Sequence, residues 1–432
     1  MICSNLSVNE KGHLAFAGQD TVELAKEYKT PLYLIDEDKI KSNCRTYINA
    51  FKKYFSNGSY PIYAGKANCF KRIYEIIKEE GMGCDVVSVG EMYTAIKSGF
   101  PLEKAFFHSN SKTDEDIEFA IEHKIGHFVV DSKEELLAID AIAKKHSVMQ
   151  KILIRVTPGI DPHTYEAVNT GKVDSKFGFA IQTGQAQEIT GDALNCENVI
   201  LDGFHCHVGS QVFDSDTFIR SADIMLEFIR DMRDKFSFTA SVLNLGGGYG
   251  VRYTDADPEI DIDKNISLVS EKINEMCKKY SIDLPKIVME PGRSIVADAG
   301  LTLYTVGSVK KIPEYKNYVS IDGGMTDNPR YALYGSRYTV YAANRMDEEN
   351  DFCASVVGRC CESGDIIQEN VALPSGVKRG DIIAVLTTGA YNYSMASNYN
   401  RLPKPPIVTL SNGESKVAVK RETLDDIIRN DI

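Results

Sequence analysis

The chain has 432 residues, 43% of them hydrophobic and 25% charged, with a net charge of −12 at neutral pH. That is enough apolar material for two domains with real cores, and the acidic balance argues against a nucleic-acid partner or an anionic membrane. No apolar run is long enough to span a bilayer, residues 1–7 carry neither a basic nor an apolar signal region, and the ten cysteines are scattered, so the expectation is a cytoplasmic protein with reduced thiols.

Residues 13–16 read as a short strand, 21–29 as a helix, 31–36 as a strand and 39–54 as an amphipathic helix. A regular alternation follows. Strand-like runs fall at 60–65, 84–89, 105–109, 127–131, 152–157, 200–207, 242–247 and 287–290. Helical periodicity falls between most of them, at 71–80, 91–97, 114–123, 133–145, 185–190, 216–235 and 262–279. Eight strands alternating with helices over roughly 250 residues predict a closed (β/α)8 TIM-like barrel in an α/β chain. An open doubly wound sheet is the alternative, but Gly246-Gly247-Gly248-Tyr249-Gly250 is not spaced as a nucleotide fingerprint. After Gly300 the helical period fades. Runs at 301–309, 318–321, 338–342, 352–357, 381–387 and 416–419 read as short strands, with a last helix near 424–429. The expected organisation is a barrel over 36–300 and a discontinuous all-β domain from 1–35 and 301–432.

Polar residues mark the barrel strands: Lys66 closes the first, Asp85 sits early in the second, His108, Asp131 and Arg155 fall on or just after later ones, and His207, the Gly246-Gly247-Gly248 turn and Glu290 complete the ring. In a barrel the C-terminal strand ends converge on one face, where active sites lie. Tyr60-Pro61-Ile62-Tyr63-Ala64-Gly65-Lys66 is an apolar run that ends in one lysine. A lysine buried there must be paired, shifted in pKa or covalently engaged, and a Schiff base with an aldehyde cofactor suits the last option. A lysine that merely snorkels to the surface is the plainer alternative. The glycine turn lets backbone amides approach a phosphate, and Gly209 and Ser210 offer a second small-residue contact. Glu290, at the last barrel strand, can keep a pyridine nitrogen protonated. His205 and His207 alternate on one strand and could be read as metal ligands, but no Cys or carboxylate is obviously placed to complete a site. No metal is expected. A flat imidazole against a cofactor ring suits His207 better, with His205 a core histidine.

Taken together, Tyr63-Ala64-Gly65-Lys66-Ala67-Asn68, Gly83-Cys84-Asp85-Val86-Val87-Ser88-Val89-Gly90-Glu91, Ser175-Lys176-Phe177-Gly178, His205-Cys206-His207-Val208-Gly209-Ser210-Gln211 and Glu290-Pro291-Gly292-Arg293 resemble the alanine-racemase-fold (group IV) decarboxylases that use pyridoxal 5′-phosphate (PLP). Arg330-Tyr331-Ala332-Leu333-Tyr334, Cys361-Glu362-Ser363 and Gly389-Ala390-Tyr391 resemble the branch acting on meso-2,6-diaminopimelate, which yields L-lysine and CO₂. Related decarboxylases of basic amino acids or carboxynorspermidine are the alternative. The resemblance runs in order from about Pro31 to Pro403.

It implies that Lys66 holds PLP as a Schiff base, that His207 stacks on its ring and that Glu290 faces the pyridine nitrogen. Asp85, Ser210, Gly246, Gly247, Gly248, Gly292, Arg293 and Tyr391 would line the cofactor. Arg293, Arg330, Tyr334, Glu362 and Tyr391 would contact the amino-acid substrate, with Cys361 as the acid. The same resemblance implies a homodimer in which Cys361 and Glu362 reach the partner's site. Two departures stand out. Gly65 replaces a larger aliphatic residue, which predicts a looser strand before Lys66, and Cys360 sets a second thiol beside Cys361.

Overall fold

The computed structural model describes residues 1–160 and 174–432. They form two compact units, one of residues 43–250 and 259–292, the other of residues 1–42, 251–258 and 293–432.

The first unit is a closed barrel. Its strands are Tyr60–Ala64, Gly83–Val86, Ala105–Phe107, His127–Val130, Gln150–Thr157, Val199–His205, Val242–Asn244 and Lys286–Met289. Each runs parallel to the next, and the last pairs with the first through Val288 and Tyr60. Most strand residues are buried, as expected of strands covered on both faces. The helices between them are amphipathic: Lys71–Glu79 buries Ile73, Tyr74, Ile76 and Ile77 on one side. Several begin at side-chain caps, with Ser88 accepting from the Glu91 amide, Thr113 and Asp116 forming a capping box, and Asp261 accepting from the Lys264 amide.

Ile62, Phe106, Val129, Leu153, Val242 and Val288 form one apolar cluster. They come from six strands around the ring, so they can meet only inside the barrel. Side chains on a strand return to the same face every second residue. Counting two residues on from each gives Ala64, His108, Asp131, Arg155, Asn244 and Glu290. The barrel is therefore plugged by an apolar layer, with a polar layer directly above it at the strand C-termini.

The second unit is built on a mixed sheet. Leu32–Asp36 pairs antiparallel with Gly300–Ile312 and parallel with Ile407–Ser411. Gly300–Ile312 also pairs with Lys316–Ile321 and Ile382–Leu386. Phe352–Val357 joins Lys316–Ile321 in parallel and Ile366–Leu373 antiparallel. Leu14, Phe16, Leu24, Leu32 and Leu34 share one core with Leu301, Leu303, Val408 and Leu410. Among the described residues no helix is long and apolar enough to cross a membrane.

Candidate active site

The first barrel strand stops at Ala64, and the one-turn 3-10 helix Gly65–Ala67 follows. That turn carries Lys66 out of the wall, so the residue is exposed. The burial expected of a strand-end lysine is thus absent: the chain bends before the lysine, not after it. A Cβ at Gly65 would lie 2.7 Å from the Asp85 carbonyl oxygen and 2.9 Å from the Tyr74 hydroxyl. The approach to Lys66 is therefore tight, which corrects the expectation of a loose strand.

Asp85 is 1% exposed and its Oδ1 accepts the Gly65 amide at 2.9 Å. Burial, and then the neighbouring Glu290 carboxylate, push Asp85 up to about 6, while His108 and Lys66 pull it down. Glu91, which accepts the Val87 amide at 2.9 Å, is raised to about 7 by burial and by Asp85. Burial thus raises both carboxyls above their ordinary range, and the Lys66 charge opposes that rise at each.

Glu290 lies just beyond the last barrel strand and is buried. Three groups surround its carboxylate. Oε1 lies 2.8 Å from His108 Nε2 and accepts from Asn244 Nδ2 at 2.7 Å, and Oε2 lies 3.3 Å from His205 Nε2. Burial alone would raise Glu290, but His108 and His205 outweigh it and hold the carboxyl well below its usual range. Burial pulls His205 down to about 3, so at neutral pH it serves as a neutral N–H donor. His205 is therefore not an idle core histidine. With His108 and Glu290 it forms a compact trio of possible ligand atoms, so a carboxylate does lie beside it. The Asn244 amide also donates to this carboxylate, so one of its oxygens is already shared between His108 and Asn244.

Burial, then Lys66 and Arg155, lower the His207 imidazole well below its ordinary value and keep it neutral. Its Nδ1 accepts the Gly247 amide at 3.3 Å, which places the ring proton on Nε2. The Gly246 amide donates to Asn244 Oδ1 at 2.9 Å. Two of the turn's three amides are thus engaged within the chain. The glycines are required by close approach: a Cβ on Gly246 (φ +66°) would come 2.5 Å from the Cys206 carbonyl, and one on Gly247 would come 2.1 Å from that of Glu290. Ser210 is half-buried in the loop after the sixth strand. Gly292 packs closely against the first strand, where a Cβ would meet that of Ala64 at 2.8 Å.

The second unit gathers four of the expected residues around an aromatic ring. Arg293, 5% exposed, donates to the Tyr253 hydroxyl at 2.6 Å, and its guanidinium lies 4.8 Å from the Tyr391 ring centre. Arg330, 6% exposed, lies 5.3 Å from the same ring and 5.2 Å from that of Tyr334. Arg330 donates to Ser336 Oγ at 3.3 Å, and its Nε has no hydrogen-bond partner. Among the described residues no carboxylate pairs with Arg330.

Cys361 and Glu362 occupy an exposed turn. Glu362 accepts from Ser363 Oγ and the Gly364 amide, not from Arg330. Asp365 fixes the base of this turn, accepting the Cys360 amide at 2.7 Å and the Met325 amide at 2.6 Å. Burial and Asp365 push the Cys360 thiol up to about 12, which leaves it a poor proton donor beside the exposed Cys361. Asn244 is the site residue that the motifs did not reveal; counting two positions on from Val242 would have found it.

The comparisons agree with this geometry. The family described as "Pyridoxal-dependent decarboxylase, pyridoxal binding domain" matches residues 37–297. The diaminopimelate decarboxylase of Bacillus subtilis (strain 168) is 44% identical over 98% of this chain and 96% of its own length. That of Staphylococcus aureus (strain COL) is 42% identical over 98% of each chain. The crystal structure of diaminopimelate decarboxylase from M. jannaschii in complex with L-lysine superposes with a TM-score of 0.91 at 34% identity, covering 100% of this chain and 98% of that one. The chain belongs to the diaminopimelate decarboxylase family of pyridoxal-dependent decarboxylases.

Proposed function

We propose that the chain decarboxylates meso-2,6-diaminopimelate to L-lysine and CO₂ with PLP as its cofactor. The residues present fit PLP: an accessible Lys66, and a buried Glu290 held as an anion by His108, His205 and Asn244. PLP, when bound, supplies the electron sink that lets the bond to the carboxylate break. Lys66 would anchor the aldehyde, Glu290 would keep the ring nitrogen protonated, and the neutral face of His207 would pack against the ring. Asp85, carrying the Gly65 amide, would hold the turn that presents Lys66. Ser210, the Gly246-Gly247-Gly248 turn, Gly292, Arg293 and Tyr391 would serve the phosphate end.

Arg330 carries the choice of substrate. Its guanidinium is buried, has an Nε without a partner and pairs with no carboxylate among the described residues, which suits it to an anionic ligand. Diaminopimelate keeps a second carboxylate at its far end, whereas ornithine and lysine end in an amine alone. Arg330 can bind that carboxylate bidentately, with Tyr334 beside it, and Glu362 can accept from the distal ammonium. Cys361 would deliver a proton to the carbon that has lost CO₂. The exposed Cys361-Glu362 turn suits a homodimer in which each copy lends that turn to its partner.

CO₂ release from meso-diaminopimelate, L-lysine, L-ornithine and L-arginine by the PLP-loaded protein tests this reading. Release mainly from diaminopimelate supports it; preferential release from a basic amino acid contradicts it.

A further inference from the structure

We propose that Asn244 is a positioning residue that ties the Glu290 carboxylate to the glycine turn, so that the group meeting the cofactor's ring nitrogen and the turn meeting its phosphate are set as one piece. The proposal rests on the proposed function, in which Glu290 faces the pyridine nitrogen and the glycine turn faces the phosphate.

Asn244 is wholly buried at the end of the seventh barrel strand. One face of its amide donates to Glu290 Oε1 at 2.7 Å, and the other accepts the Gly246 amide at 2.9 Å. The backbone closes the loop, because the Glu290 amide donates to the Gly246 carbonyl at 2.8 Å. Asn244, Gly246 and Glu290 thus form a hydrogen-bonded ring that uses both ends of one side chain. A planar amide is suited to this place. A carboxylate could accept from Gly246 but not donate to Glu290, and an alkyl group could do neither. An amide is also neutral, so it orients the carboxylate without cancelling the charge that a protonated pyridine needs. His108 at 2.8 Å and His205 at 3.3 Å complete the shell.

Three variants separate the two ends: Asn244→Asp, Asn244→Leu and Glu290→Gln. The probes are PLP and pyridoxal, which lacks the phosphate, with binding to the apoprotein measured by equilibrium dialysis. The ratio of the two affinities reports the phosphate end, and pyridoxal alone reports the ring end. Asn244→Leu loses both hydrogen bonds, so PLP binding should weaken by at least about tenfold and the ratio should fall. Asn244→Asp keeps the acceptor for Gly246 and sets a second carboxyl beside Glu290. Both ligands should then weaken together by about tenfold or more while the ratio holds within about twofold of wild type.

If Asn244→Leu does not fold, judged by loss of a cooperative unfolding transition, the Asp variant decides. Unchanged affinities, or a ratio that drops in Asn244→Asp, overturn the proposal. A weakened Glu290→Gln beside unaffected Asn244 variants overturns the tie alone. Glu290→Gln binding PLP as tightly as wild type overturns the reading of Glu290 and the tie with it.

Discussion

Arg330→Met separates a ligand-binding arginine from a structural one. In the folded chain Arg330 is 6% exposed, its Nε has no partner, and one side-chain hydrogen bond reaches Ser336 at 3.3 Å. Its desolvation costs several kcal/mol. The two aromatic faces, Tyr334 at 5.2 Å and Tyr391 at 5.3 Å, return about 0.5–2 kcal/mol each, and the long hydrogen bond about 1 kcal/mol. These terms nearly cancel. A methionine of similar length keeps the packing and removes the desolvation cost, so the unfolding free energy should change by less than about 1 kcal/mol or rise. Activity should behave differently. Losing a charge-assisted bidentate contact, and leaving a substrate carboxylate unpaired, should lower kcat/KM for diaminopimelate by about 10²–10³-fold, mainly through KM. Turnover of ornithine, which lacks that carboxylate, should change by less than about threefold. Urea unfolding followed by circular dichroism and steady-state kinetics on both substrates make the comparison. A stability loss of about 3–5 kcal/mol with equal losses on both substrates would show that Arg330 is a structural ion.

Gly65→Ala places a methyl 2.7 Å from a backbone oxygen, so it should cost about 1–3 kcal/mol of stability and shift the visible absorbance of lysine-bound PLP; wild-type values for both would refute the packing argument. Lys112 and Glu135, with side chains 0% and 3% exposed, meet at 2.7 Å, so Lys112→Met should destabilise the barrel by about 3–5 kcal/mol and Glu135→Leu in the same chain should recover most of it, both read from urea midpoints. Cys361→Ala should slow turnover by about 10²–10⁴-fold, the range for losing a general acid. Mixing Lys66→Ala and Cys361→Ala proteins should restore activity once subunits exchange; confirmed exchange without activity would exclude a shared site.

The barrel was legible because its strands are apolar on both faces and recur at even spacing. Their ends were less so. The runs at 84–89 and 242–247 each extend three residues beyond the strands, which stop at Val86 and Asn244. Ser88 caps a helix at one end, and the glycine turn begins at the other. In the second unit, Ile366–Leu373 was missed because Gln368, Glu369 and Asn370 break its alternation, and Asn370 adopts φ +55°. Ile407–Ser411, which directly follows Pro405 and Pro406, was missed although it lies beside Leu32–Asp36 in the sheet.

The site divides in the same way. Strand-end residues such as Lys66, His108 and Glu290 stand out because polar residues close apolar runs. Asn244 does not: one amide in a short strand carries no motif, and its role depends on a hydrogen bond to a residue 46 positions away. The exposure of Lys66 was open as the plainer alternative, but not its cause, since the sequence does not show that the chain turns at Gly65.

The most direct measurement is borohydride reduction of the PLP-loaded protein followed by peptide mapping. If the chemistry is centred on the turn after the first barrel strand, the reduced cofactor is recovered on Lys66, and Lys66→Ala neither retains label nor turns over substrate while still unfolding cooperatively. Label on any other lysine, or an active Lys66→Ala protein, would contradict it.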